Sequence, residues 1–199
     1  MNTTQQDIAA LIGSRICHDL ISPLGAIGNG VELLGMSGTT DGPEIALISE
    51  SVKSANARIR FFRIAFGAAP SGAKLGRDEI ICILQDVTSG GRIQVDWNSD
   101  KTLSRGQVKL AFLLIQCIET ALPYGGAIEV TQAHDKWTLR CDAQKLNIDP
   151  SIWELLVTTE IEKDISPAEV HFALVPDAAR HAGRVVQTDL RESEISLKY

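Results

Sequence analysis

Apolar residues recur at three- and four-residue steps through Ile8, Ile12, Ile16, Leu20, Leu24, Ile27, Val31 and Leu34, the spacing of one stripe along an amphipathic helix. The pattern predicts a first helix over 6–36. A polar, glycine-rich turn follows at 37–42, and Pro43 then suits the first turn of a second helix, with Glu44 favourable beside its N-terminus. That helix carries Ile48, Val52, Ala55, Ile59, Phe62 and Phe66 on one face. Two long helices joined by a short turn imply an antiparallel hairpin. A lone hairpin closes no core, so pairing with a second copy into a four-helix bundle is expected.

The periodicity stops at 67–76, a stretch rich in Gly, Ala and Pro, which reads as a domain boundary. A different pattern follows. Helices are expected over 78–88, 107–122, 151–157 and 168–181, and strands over 92–97, 127–132, 137–142, 184–188 and 194–197. The predicted fold is therefore α+β. A helical hairpin over 1–69, dimerising into a four-helix bundle, precedes a two-layer α/β sandwich over 77–199. Trp97, Trp137 and Trp153 read as core or interface anchors. His134, His171 and His181 carry no assigned role.

Composition removes several function classes. At 199 residues, 44% hydrophobic and 22% charged, the chain has the make-up of a globular protein. No apolar run is long enough for a membrane span, and no basic-then-apolar leader opens the chain, so a cytoplasmic location is expected. The net charge of -6 argues against nucleic acid as the main partner. Cys17, Cys82, Cys117 and Cys141 lack metal-ligand spacing and read as buried, reduced thiols.

Against this background His18 is out of place. At about 100° per residue it points away from the apolar stripe, onto a face of small or polar neighbours, Ser14, Ser22, Gly25 and Asn29. A nitrogen nucleophile available near neutral pH thus lies where a second protein can reach it. Asp19 is placed to orient the imidazole. Pro23, inside the helix, removes a backbone hydrogen bond and crowds the Asp19 carbonyl, which a plain bundle helix does not require. Basic side chains that could compensate a phosphate include Arg15 beside the histidine and Lys53, Arg60 and Arg63 on the second helix. With a turn near residue 39, His18 should lie level with residue 61, within reach of Arg60 or Arg63.

The run His18-Asp19-Leu20-Ile21-Ser22-Pro23-Leu24 resembles the H-box of sensor histidine kinases. The resemblance implies that His18 is a phospho-acceptor and that Ser22 stands where kinases carry a Thr or Asn that places water. The helix and strand from Leu114 to Val130 are similar to the kinase N-box region, but Gln116 and Thr120 occupy positions where kinases hold Mg²⁺-ATP with asparagines. Asp142 is followed by Ala143 and Gln144 where glycines are expected, and 167–174 contains no glycine at all. His181-Ala182-Gly183-Arg184-Val185 is similar to the segment closing the kinase domain.

A kinase-like hairpin on a nucleotide-blind ATPase-like domain resembles the ChpT-type histidine phosphotransferases of alphaproteobacterial phosphorelays. The resemblance implies a homodimer that moves phosphoryl groups between receiver-domain aspartates of a hybrid kinase and of response regulators. It implies no bound cofactor, with Mg²⁺ supplied by the receiver, and no metal site on this chain. His18, Asp19 and Ser22 would carry the chemistry, with Arg15, Asn29, Arg60 and Arg63 toward the phosphate or partner. A non-catalytic adaptor docking on receivers and a divergent histidine kinase are the alternatives.

Overall fold

The computed structural model describes residues 3–37, 42–158 and 164–199. Helix α1 spans Thr3–Ser37 and continues through Pro23, and α2 spans Pro43–Ala65 with Pro43 at its start and Glu44 in its first turn. Most of the expected turn, 38–41, lies outside the described residues. Gly30 lies so close to α2 that a Cβ there would fall 2.5 Å from Ile48 Cγ1. Farther back on α1, Asp19 faces Arg58, farther on in α2. Contacts that advance on one helix while retreating on the other define an antiparallel hairpin.

The rest of the chain is a two-layer α/β unit. Strand β1 (Lys74–Gly76) pairs antiparallel with β3 (Thr102–Ser104), a ribbon too short to show periodicity in the sequence. A five-stranded mixed sheet has the order β2-β4-β5-β7-β6, formed by Ile93–Asn98, Gly126–Ala133, Lys136–Asp142, Glu194–Lys198 and Gln187–Leu190. Only β2 and β4 run parallel. The β4–β5 turn places His134 and Asp135 both at positive φ, the backbone of a tight two-residue hairpin. The final strand pair begins at Gln187, not at residue 184, because the Arg184 N–H is still spent on the Ala179 carbonyl (2.8 Å), closing the end of the preceding helix.

Alternation along the strands sends Ile128, Val130, Trp137, Leu139, Cys141, Ile195 and Leu197 to one face, where all are buried. Helices α3 (Arg77–Thr88), α4 (Arg105–Thr120) and α6 (Val170–His181) supply the other half of the core, with Ile80, Leu84, Leu110, Leu114, Phe172 and Val175 buried. Short helix α5 (Pro150–Trp153) and 3-10 turns at Glu154–Leu156 and Pro167–Glu169 fill the connection between β5 and α6. All three tryptophans are buried. Two cysteines depart from expectation: Cys117 and Cys141 are buried, but Cys17 and Cys82 lie on outward faces of their helices and are exposed. Among the described residues no helix is long and apolar enough to cross a membrane.

The hairpin is fastened to the sandwich at the base of α2. Phe61 stacks on Phe112 of α4 with ring centroids 4.7 Å apart, and Phe62, Ile64 and Ala65 are buried in the same core. In the last turn of α2 and just beyond it the backbone carbonyls run out of helical partners, and α4 supplies donors. Arg105 donates to the carbonyls of Arg63 (2.9 Å) and Ala68 (3.0 Å), and Lys109 donates to that of Gly67 (2.9 Å). Truncating Phe61 to Ala removes an aromatic side chain at the junction. A loss of about 3–5 kcal/mol in unfolding free energy, measured by urea denaturation, is expected.

Candidate functional site

His18 projects from the middle of α1 with 85% of its side chain exposed, and Ser14, Ser22, Gly25 and Asn29 are exposed around it. Its Nδ1 lies 3.1 Å from Oδ1 of Asp19. A carboxylate has no proton to give, so the ring nitrogen donates. In the neutral ring this contact assigns the proton to Nδ1, and the lone pair then sits on Nε2 of an exposed side chain.

Asp19 is the hub. Its side chain is only 11% exposed, and such a carboxylate requires compensating charge and hydrogen bonds. Its Oδ2 accepts from Nε of Arg15 at 2.9 Å, one helical turn back, and Arg58 Nη1 stands 4.0 Å from the same oxygen. Arg15 also reaches the other domain, where its Nη1 donates to the carbonyl of Ala168 at 2.9 Å. Behind Asp19 a cleft of about 160 Å³ separates the hairpin from the sandwich, with Arg15, Arg58, Arg92, Gln116 and Glu119 on its walls.

The sequence-based candidates fall into two groups. His18, Asp19 and Arg15 meet directly, with Ser22 and Asn29 on the same open face. Arg60 is turned elsewhere, since its guanidinium pairs with Asp86 and also contacts Cys82 of α3. Arg63 is exposed near the base of α2, where its carbonyl takes the Arg105 contact. The expectation that Arg60 or Arg63 approaches His18 is therefore corrected: the arginine facing the site is Arg58. Helix phase is the reason, because two residues turn the side chain by about 200°. Arg58 shares the inner face of α2 with Ser51, Ala55 and Phe62, all buried, and that spacing is visible in the sequence. Arg15, expected toward the phosphate or partner, has its guanidinium engaged by Asp19 and Ala168.

The region matching the N-box is closed by the protein's own side chains. Thr120 Oγ1 donates to the Gln116 carbonyl (2.9 Å) and lies 3.2 Å from His171 Nε2. His171 is buried against Phe172, and Trp153 packs edge-to-face with the same phenylalanine, ring centroids 5.4 Å apart. Gln116 is buried as well. Burial, reinforced by the charge of Arg15, holds the His171 pKa down from 6.5 to about 3.

Comparison with known proteins agrees with this architecture. Residues 77–194 match the family model described as the histidine phosphotransferase C-terminal domain. The chain is 34% identical to the protein phosphotransferase ChpT of Brucella abortus (strain 2308) over 155 residues, covering 75% of this chain and 74% of that protein. A bacterial phosphotransferase of known structure superposes with a TM-score of 0.80 at 29% identity, covering 100% of this chain and 98% of that one.

The depressed pKa of His171 has a consequence for stability. Between about pH 3 and 6.5 the unfolded chain binds a proton on this residue that the folded protein refuses. Stability therefore falls as pH is lowered through 6.5 toward 3, by up to about 1.4 kcal/mol per pH unit from this group. Replacing His171 with Gln is expected to remove that part of the acid sensitivity when urea unfolding is compared at neutral and acidic pH.

Proposed function

The chain belongs to the histidine phosphotransferase family, and we propose that within it His18 is the residue that carries the phosphoryl group. The protein is a ChpT-like phosphorelay histidine phosphotransferase. One observation carries the residue assignment: the ring is exposed, and its Nδ1–H is held by Asp19, which leaves Nε2 as the nucleophile. In the forward step the Nε2 lone pair attacks the phosphorus of a receiver's aspartyl phosphate. An N–P bond forms, the aspartyl P–O bond breaks, and the carboxylate leaves with the electron pair. The second receiver reverses these events. The proton stays on Nδ1 throughout, and Asp19 stabilises the positive charge that the phosphorylated ring acquires. Around the cleft behind the ring Arg15, Arg58 and Arg92 stand against the carboxyl groups of Asp19 and Glu119, three cationic groups to two acidic ones, so the surroundings favour an incoming anion. Ser22, one turn beyond His18, is assigned the placing of water in any hydrolysis of the phosphorylated ring. Asn29, farther along the open face, is assigned to contact with the docked receiver.

The phosphoryl donor is a receiver, and ATP is not. Supporting this are the burial of Gln116, the bonds that occupy Thr120, and the Trp153–Phe172 packing beside them. Mg²⁺ is supplied with the receiver. The exposed thiols of Cys17 and Cys82 fit a reducing cytoplasm.

The working unit is a homodimer through the hairpin. Ile21, Leu24 and Val31 on α1 and Ile45, Val52 and Ile59 on α2 are all substantially exposed. The α2 set repeats every seven residues, the period of a helix seam, so each hairpin carries an apolar face that its own packing leaves uncovered.

Two measurements test these readings. A phosphorylated receiver is expected to transfer label to the wild-type protein as an acid-labile, base-stable phosphate. His18→Ala takes up none, and radiolabelled ATP labels neither protein. Label on His18→Ala overturns the assignment. Sedimentation at micromolar concentration is expected to give a dimer that Leu24→Glu converts to monomer, and a monomeric wild type refutes the bundle.

A further inference from the structure

Arg15 does more than neutralise a neighbouring carboxylate. An arginine four residues before an aspartate on an exposed helix face makes an ordinary surface pair, worth little. Here the two ends of one guanidinium go to different domains. Nε donates to Asp19 in the hairpin, and Nη1 donates to the carbonyl of Ala168 in the sandwich, each at 2.9 Å. The other oxygen of Asp19 holds Nδ1 of His18.

The carbonyl at the far end is itself fixed. Ala168 lies inside the 3-10 turn Pro167–Glu169, which a reciprocal cap closes. The Ser166 backbone N–H donates to Glu169 Oε2 at 3.1 Å, and the Ser166 hydroxyl donates to the same oxygen at 2.6 Å. This turn opens α6, whose Phe172 and Val175 are rooted in the core. A chain of hydrogen bonds therefore runs from the Ala168 carbonyl, at the surface end of the turn that opens α6, through Arg15 and Asp19 to the His18 ring.

We propose that Arg15 is a positioning residue through which the α/β domain sets the orientation and tautomer of His18. The proposal rests on the reading that His18 is the phospho-acceptor. It gives the sandwich a part in the chemistry beyond any contact with a partner: it holds the aspartate that holds the ring. A guanidinium suits the task because its planar fork donates in two fixed directions at once, whereas a lysine ammonium is a point charge on a flexible stem. Arg58, 4.0 Å from Asp19, adds charge and makes no close hydrogen bond to it, so it does not substitute for the fork.

The test compares wild type, Arg15→Ala, Arg15→Lys and Ser166→Ala/Glu169→Ala as full-length proteins, each checked for folding by circular dichroism. Phosphoryl uptake is measured against concentration of a phosphorylated receiver, and the His18 tautomer is read from ¹⁵N NMR of the ring. Both Arg15 variants are expected to lower kcat by about tenfold or more, with KM for the receiver nearly unchanged. The NMR signature should shift from a proton held on Nδ1 to one shared between the nitrogens. Ser166→Ala/Glu169→Ala should reproduce part of the kcat loss in the wild-type background and add nothing to Arg15→Ala. Full activity in Arg15→Lys overturns the proposal, because charge alone then suffices. A rise confined to KM overturns it in favour of a direct receiver contact. Additive losses overturn the link to the second domain. His18→Ala, run alongside, separates the two levels: label on that variant defeats the phospho-acceptor assignment, whereas normal kinetics in Arg15→Ala defeat only the positioning role.

Discussion

A carboxylate that has lost most of its water must be given charge and hydrogen bonds in return, and Asp19 imposes that constraint on the whole molecule. Its three neighbours come from three directions. Arg15 lies one turn back on the same helix, Arg58 across the hairpin on α2, and His18 beside it in the chain. Meeting the needs of this one group thus favours a particular register between α1 and α2 and a particular rotamer of the imidazole. The Arg15 contact to Ala168 extends the same requirement into the second domain. A site whose own chemistry needs little beyond a well-placed nitrogen is specified mainly by what surrounds its neighbour.

The junction at the base of α2 makes such a long connection sustainable. Phe61 on Phe112 supplies apolar contact, while Arg105 and Lys109 satisfy the carbonyls left open where the helix gives way to the linker. Lys109 is held below its usual pKa by the burial this requires. Apolar packing alone allows small rotations. Three directed hydrogen bonds, to the backbone carbonyls of Arg63, Gly67 and Ala68, restrict them. With the base of the hairpin so held, the position of Ala168 relative to Arg15 follows from the fold rather than from chance contact between two loosely tethered bodies.

Legibility in the sequence followed the range of each interaction. The outward placement of His18 was legible because helical periodicity is local, and so was its pairing with the adjacent Asp19. The long helices and four strands of the main sheet were legible for the same reason, while the strand expected over 184–188 proved to run over Gln187–Leu190. The β1–β3 ribbon was not, since three-residue strands show no alternation. Arg60 and Arg58 were separable only by helix phase, which counting back from a turn does not resolve. The exposure of Cys82 was hidden by its apolar neighbours Ile80, Ile81 and Ile83, which point to other sides of α3. The contact between Arg15 and Ala168 spans 153 positions and ends on a backbone carbonyl, a group common to every residue. No residue pattern encodes it.

The faces of α1 tie these observations together. Asp19, Gly30 and the buried Pro23 face α2 of the same chain, while Leu24, Gly28 and Val31 lie on the side left uncovered. At about 100° per residue, His18 falls between these two flanks. Covering the second flank with another hairpin therefore removes apolar surface from water without touching the histidine. In the proposed dimer that burial would stiffen the helix on both sides of the proposed phospho-acceptor ring, so assembly and phosphotransfer would make compatible demands on one helix. A glycine at 25 and small polar side chains at 14, 22 and 29 then follow from geometry. They occupy the exposed ridge between the two flanks, where a bulky residue would stand in front of the ring on the side from which the proposed receiver approaches.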